Sequence, residues 1–103
     1  MELFLAERID GVMILTLNRP SSLNALSQEL AEQLSEKISS LENDSQIRAV
    51  IITGSGNAFC AGIDLKERRM LSPEGKWVQS RALWKLCETI RSSPKAEIGR
   101  AHV

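Results

Sequence analysis

Ala49-Val50-Ile51-Ile52-Thr53, followed at once by Gly54-Ser55-Gly56-Asn57, is the stretch on which the fold turns. A short apolar, β-branched run with no polar alternation describes a strand covered on both faces, as in parallel sheets. The loop after it lies at the strand's carboxyl end, where open α/β sheets place their ligands. The segment that comes next, Ala58-Phe59-Cys60-Ala61-Gly62-Ile63-Asp64-Leu65-Lys66, is therefore the candidate site. Two readings of it stand side by side. A small, Gly-containing junction before a helix can leave backbone N–H groups aimed at an anion, or it can be a tight turn that needs Gly62 for its backbone angles. Spacing alone favours the turn.

Upstream, Leu3–Arg8 and Val12–Leu17 are apolar runs flanking Asp10-Gly11, which predicts a β-hairpin. Asn18-Arg19-Pro20 takes the chain out of the sheet, and a loop follows over Ser21–Leu26. Ser27 is the expected N-cap of a helix whose Leu30, Leu34, Ile38 and Leu41 form one apolar stripe. Strand, helix and strand then make a βαβ crossover in an α/β domain. Downstream, Ser72-Pro73-Glu74 starts a second long helix with Val78, Ala82, Leu86 and Ile90 as its stripe, ended by Ser92-Ser93-Pro94. Trp77 and Trp84 lie beside that stripe, either as core at the helix edge or as the wall of an acyl pocket.

The 103 residues carry zero formal net charge, with 43% hydrophobic and 25% charged residues. That balance excludes a disordered tail and offers no electrostatic reason for a nucleic-acid or membrane partner. Two cysteines make no disulfide framework, no signal peptide is evident and no apolar run is long enough to span a bilayer. A soluble protein in a reducing, cytoplasmic setting is expected. Gly54-x-Gly56 lacks the rest of either phosphate-binding fingerprint. Cys60 and Cys87 read as small buried apolar residues, since no base is placed to activate a thiolate. Asp64 and Glu67 can pair as acid and base on one helix face, but a dipole-matched Asp64 and a solvated charged face at Lys66, Glu67, Arg68 and Arg69 account for them more simply. No metal-ligand cluster is apparent.

Several motifs in order carry a resemblance: Leu15-Thr16-Leu17-Asn18-Arg19-Pro20, Leu23-Asn24-Ala25-Leu26, Ile47 to Gly54, and Gly56-Asn57-Ala58-Phe59-Cys60-Ala61-Gly62-Ile63-Asp64-Leu65-Lys66-Glu67. The sequence resembles the enoyl-CoA hydratase/isomerase (crotonase) family up to Lys95. The resemblance implies the N-terminal part of a spiral ββα fold, truncated. It also implies a reaction through a thioester enolate, hydration of a 2-enoyl-CoA first, isomerisation or another reaction of the family as the alternative. Asp64 to Met70 with Ser72-Pro73-Glu74 is similar to the methylglutaconyl-CoA hydratase branch. By the same resemblance the Ile63 N–H is one of two oxyanion donors. Ser21, Ser22, Leu23, Asp64, Leu65 and Lys66 contact CoA, which enters as part of the substrate with no separate cofactor. The full-length protein is expected to be a homotrimer or hexamer.

The family's second donor and its catalytic carboxylates have no counterpart here, so the 103-residue chain is expected to be an inactive, CoA-binding fragment. Residues 1–95 form the partial domain. Residues 96–103 form a polar, non-native-looking tail, whose Ile-Gly-Arg-Ala-His-Val matches a common sequencing adapter translated in one frame, leaving Arg100 and His102 without functional meaning.

Overall fold

A computed structural model of the chain describes residues 2–100. The hairpin forms as the sequence predicts, from β1 (Phe4–Ile9) and β2 (Val12–Leu17), antiparallel with Ile9 opposite Val12. Asp10 and Gly11 both take positive φ, 47° and 80°, the pair of left-handed angles that matches a two-residue turn to the strands' twist. Helix α1 (Gln28–Leu41) begins at Ser27, whose side chain accepts from the Leu30 N–H. Its Leu30, Ala31, Leu34, Ile38 and Leu41 are buried, each large side chain contributing about 1.5–3 kcal/mol. The chain returns as β3 (Ala49–Gly54), parallel to β2 from Val12–Ala49 to Leu17–Gly54, which completes the βαβ unit.

Two helices follow, a short α2 (Leu65–Arg69) and a long α3 (Pro73–Ser92), the latter capped by the Ser72 side chain with Pro73 in its first turn. A fourth strand, β4 (Ala96–Arg100), pairs in parallel with β3 in the sheet order β1-β2-β3-β4. One face of the sheet, with Met13, Leu15, Leu17, Val50 and Ile52, forms a single core with α1 and with Ala82 and Leu86 of α3. No helix among the described residues is long and apolar enough to cross a membrane.

Four expectations change, the first being that Val78 of the α3 stripe is 40% exposed while Gln79 beside it faces inward. Ala96–Arg100 pairs as a strand because β3 presents a row of main-chain donors and acceptors that another backbone can meet whatever its side chains, so the pairing says nothing of where residues 96–103 come from. His102 lies outside the described residues. Trp77 and Trp84 are 62% and 64% exposed, so they are not core, and Arg81 stacks over the Trp77 ring at 5.2 Å. Cys87 is exposed, on the same outer side of α3 as Trp84, and Cys60 is half-buried against the core's rim. Glu67, finally, belongs to no solvated face, since its Oε1 accepts from the Gln28 N–H and from Gln79 Nε2.

Candidate functional site

Three short segments meet at the carboxyl ends of β2 and β3: the turn after β2, the loop after β3 and the start of α2. After Leu17 the chain makes one 3₁₀ turn, Pro20–Ser22, and then places two successive residues, Leu23 and Asn24, at φ 52° and 55°. Asparagine tolerates that conformation better than most residues. The reversal drives the Asn24 side chain inward until none of it is exposed. Its Oδ1 accepts from the Arg19 N–H at 2.8 Å, and its Nδ2 donates to the carbonyls of Ser55 at 2.9 Å and Ala58 at 2.7 Å. One side chain thus ties the turn after β2 to the loop after β3.

The loop then runs to Gly62, whose φ of 92° turns it back alongside the first segment. There Leu26 and Ile63 form an isolated parallel bridge. The Leu26 N–H donates to the Gly62 carbonyl at 2.7 Å, and the Asp64 N–H donates to the Leu26 carbonyl at 3.0 Å. In such a bridge both bonds come from the neighbours of Ile63, so the N–H of Ile63 itself faces away from Leu26. No acceptor for it occurs among the described residues.

Asp64 is buried and fully engaged. Its Oδ1 accepts from the Glu67 N–H at 3.1 Å, capping α2, and its Oδ2 accepts from Arg19 Nη2 at 2.9 Å. Its carbonyl receives the Arg68 N–H and Gln79 Nε2. The Asp64 carboxyl is held below its ordinary range, first by the Glu67 N–H; burial opposes that, and Arg19 then reinforces it. The consequence for stability has a definite sign. A carboxyl depressed in the folded state contributes stability above its unfolded value of about 3.9, and that contribution is lost as pH falls through the folded value. Asp64→Asn is therefore expected to flatten the acid limb of the melting temperature below about pH 4. Thermal melts of both proteins across that range check it, and parallel slopes would show that the Asp64 charge contributes nothing.

The other sequence-predicted residues fall into two groups. Ser21 and Ser22 line a cleft of about 370 Å³ with Leu3, Asn18, Arg19 and Pro20, and Leu23 stands beside it, 54% exposed. Leu65 lines a smaller cleft of about 200 Å³ with Arg68, Arg69 and Lys76, and Lys66 is exposed next to it. The clefts are separate, and the Arg19–Asp64 ion pair joins the segments that form them. Asp64 and Glu67 share no acid/base task, because both carboxylates already hold helix N-termini or side-chain donors.

Three residues essential to this geometry carry no role in the sequence reading: Arg19, Asn24 and Gln79. Gln79 is buried, donates to the Asp64 carbonyl and to Glu67, and accepts from Arg68 Nη1 at 3.1 Å, so α2 is fastened to α3 through it. It could have been found, since it lies three and seven residues before Ala82 and Leu86 and hence on their face of the helix. Among the described residues no group of three or more His, Cys, Asp or Glu is arranged to hold a metal.

Residues 7–101 match the family model described as enoyl-CoA hydratase/isomerase. The chain is similar to 1,2-epoxyphenylacetyl-CoA isomerase of Escherichia coli (strain K12), 46% identical over 70 residues covering 68% of this chain and 27% of that one. It is also similar to the short-chain-enoyl-CoA hydratase of Clostridium acetobutylicum, 40% identical over 72 residues covering 68% and 28%. Among solved structures, enoyl-CoA hydratase from Bacillus anthracis superposes with a TM-score of 0.90 at 30% identity, over 95% of this chain and 39% of that one. The enoyl-CoA hydratase of Mycobacterium smegmatis gives 0.89 at 39% identity, over 96% and 39%. The chain thus spans about two-fifths of the length of these solved relatives and corresponds to their N-terminal part.

Proposed function

The chain belongs to the enoyl-CoA hydratase/isomerase family, and on that premise we propose that it carries half of an oxyanion hole for an acyl-CoA thioester. The observation that carries the reading is the Ile63 N–H, turned outward by the Leu26 bridge and without an acceptor among the described residues. In hydration of a 2-enoyl-CoA, water adds to the β-carbon and the thioester oxygen takes up the electron pair as an enolate until the α-carbon is protonated. A main-chain donor aimed at that oxygen stabilises the charge as it develops, and losing one such donor costs about 10²–10³ in rate. The donor is backbone, so the side chain at position 63 has no part in the charge.

The CoA portion is assigned to Ser21, Ser22 and Leu23 on one side and to Leu65 and Lys66 on the other, all at clefts or exposed beside them. Asp64 serves the ligand through the geometry it imposes, its polar groups being committed within the protein. With Asp64 and Glu67 engaged, the acid/base pair is assigned in this reading to other parts of the full-length protein, as is the second donor, and a homotrimer or hexamer is proposed for it. Isomerisation is the second reading, favoured by the isomerase among the relatives. Alone, the 103 residues bind an acyl-CoA without turning it over.

Titrating the purified chain with crotonyl-CoA tests this. Saturable binding with no loss of the enoyl thioester is expected. Turnover above a buffer control would overturn the inactivity of the chain, and absence of saturable binding would overturn the half-site itself.

A further inference from the structure

We propose that Arg19 is a positioning residue for the Ile63 N–H, one guanidinium clamping both arms of the Leu26–Ile63 bridge; the inference rests on the donor role given to Ile63 above. The bridge is made of only two main-chain hydrogen bonds, with no neighbouring rung to share the load. Bonds of that kind are individually weak. Arg19 spans the bridge from outside it. Nη1 donates to the carbonyl of Ala25, one residue before Leu26, and Nη2 donates to Asp64, one residue after Ile63.

Both ends of the clamp are shielded, with 21% of the Arg19 side chain and 9% of the Asp64 side chain exposed, so the pair is screened less than a surface ion pair. A planar fork with fixed donors can hold a carbonyl and a carboxylate at once, whereas an ammonium on a flexible stem cannot reproduce that geometry. The clamp is also separable from the rest of the loop. The main-chain N–H of Arg19 is held by Asn24, and the other oxygen of Asp64 caps α2, so neither depends on the guanidinium. Loosening Arg19 therefore frees the bridge while leaving the turn and the helix start in place.

The test uses the ¹⁵N-labelled 103-residue chain, wild type, Arg19→Lys and Arg19→Gln, with amide exchange followed by NMR before crotonyl-CoA is added and amide shifts recorded after. Exchange at Leu26 and Asp64 is expected to quicken about tenfold in both variants, the effect of losing a charge-assisted bond on a local opening equilibrium. Leu15 and Ile52, in the core strands, are expected to exchange at the wild-type rate. The shift that crotonyl-CoA induces at the Ile63 amide is expected to fall at least about twofold, the bound geometry no longer being held in advance. Bridge amides no faster than in wild type, or core amides quickened equally, would overturn the clamp. A wild-type Ile63 amide that ignores crotonyl-CoA would instead overturn the donor role, and this inference with it, whatever the bridge does.

Discussion

Gly54→Ala is expected to lower stability by about 3 kcal/mol or more, a large share of the roughly 5–15 kcal/mol available to a domain of this size. A Cβ at position 54 would lie 2.3 Å from the Ala58 carbonyl oxygen, 2.4 Å from that of Phe59 and 2.6 Å from Asn24 Nδ2. Nothing in that set yields cheaply. Two of the atoms are main chain, and the third belongs to a fully buried amide held by hydrogen bonds at both ends. Gly54 is also the last residue of β3 and pairs with Leu17, so the collision cannot be relieved by sliding the strand without breaking its register. Urea unfolding of the two chains measures the difference. A midpoint shift worth less than about 1 kcal/mol would mean that the loop after β3 moves aside easily, and the close approach would then be incidental.

The same crossing shows where the sequence was legible and where it was not. Hairpin, caps and the α1 stripe are local signals: Asp10-Gly11, Ser27, Ser72-Pro73 and the Leu30–Leu41 spacing each act within a few residues, and each has its counterpart in the fold. Asn24 gives no such signal. In sequence it is one more polar residue in a turn, and its function depends on carbonyls 31 and 34 residues away. Arg19 and Asp64 are likewise 45 residues apart, so their pairing follows from the βαβ topology and not from spacing. The tryptophans lie outside the core for another reason. At 3.6 residues per turn, Trp77 and Trp84 lie two positions outside Gln79 and Ala82, about 200° around the helix from the buried face. A stripe centred on Gln79, Ala82 and Leu86 would have placed them in solvent. The inward position belongs to a polar residue, Gln79, whose burial size and hydropathy do not signal.

For the site itself the decisive substitution is Asn24→Asp, which keeps the size and shape of the side chain and removes its donor. In the wild type, Nδ2 satisfies two carbonyls, those of Ser55 and Ala58, at a position with no solvent exposure. An aspartate there sets an oxygen against two oxygens. If ionised it is a buried charge facing negative dipoles, so it is expected to protonate, and even then it offers one hydrogen where two acceptors wait. Each carbonyl left unpaired costs about 1–3 kcal/mol, so a loss of about 2–5 kcal/mol is expected, growing as pH rises because ionisation is the less tolerable state. The direction of that slope separates this effect from a simple loss of packing, which has no pH dependence. The consequence also reaches the site, because the loop that Asn24 holds leads directly to Gly62 and to the bridge that aims the Ile63 N–H. Chemical denaturation at two pH values, with crotonyl-CoA binding measured on whatever fraction stays folded, checks both consequences. A variant as stable as wild type at high pH would show that water can replace the amide, and that the turn after β2 does not depend on this residue.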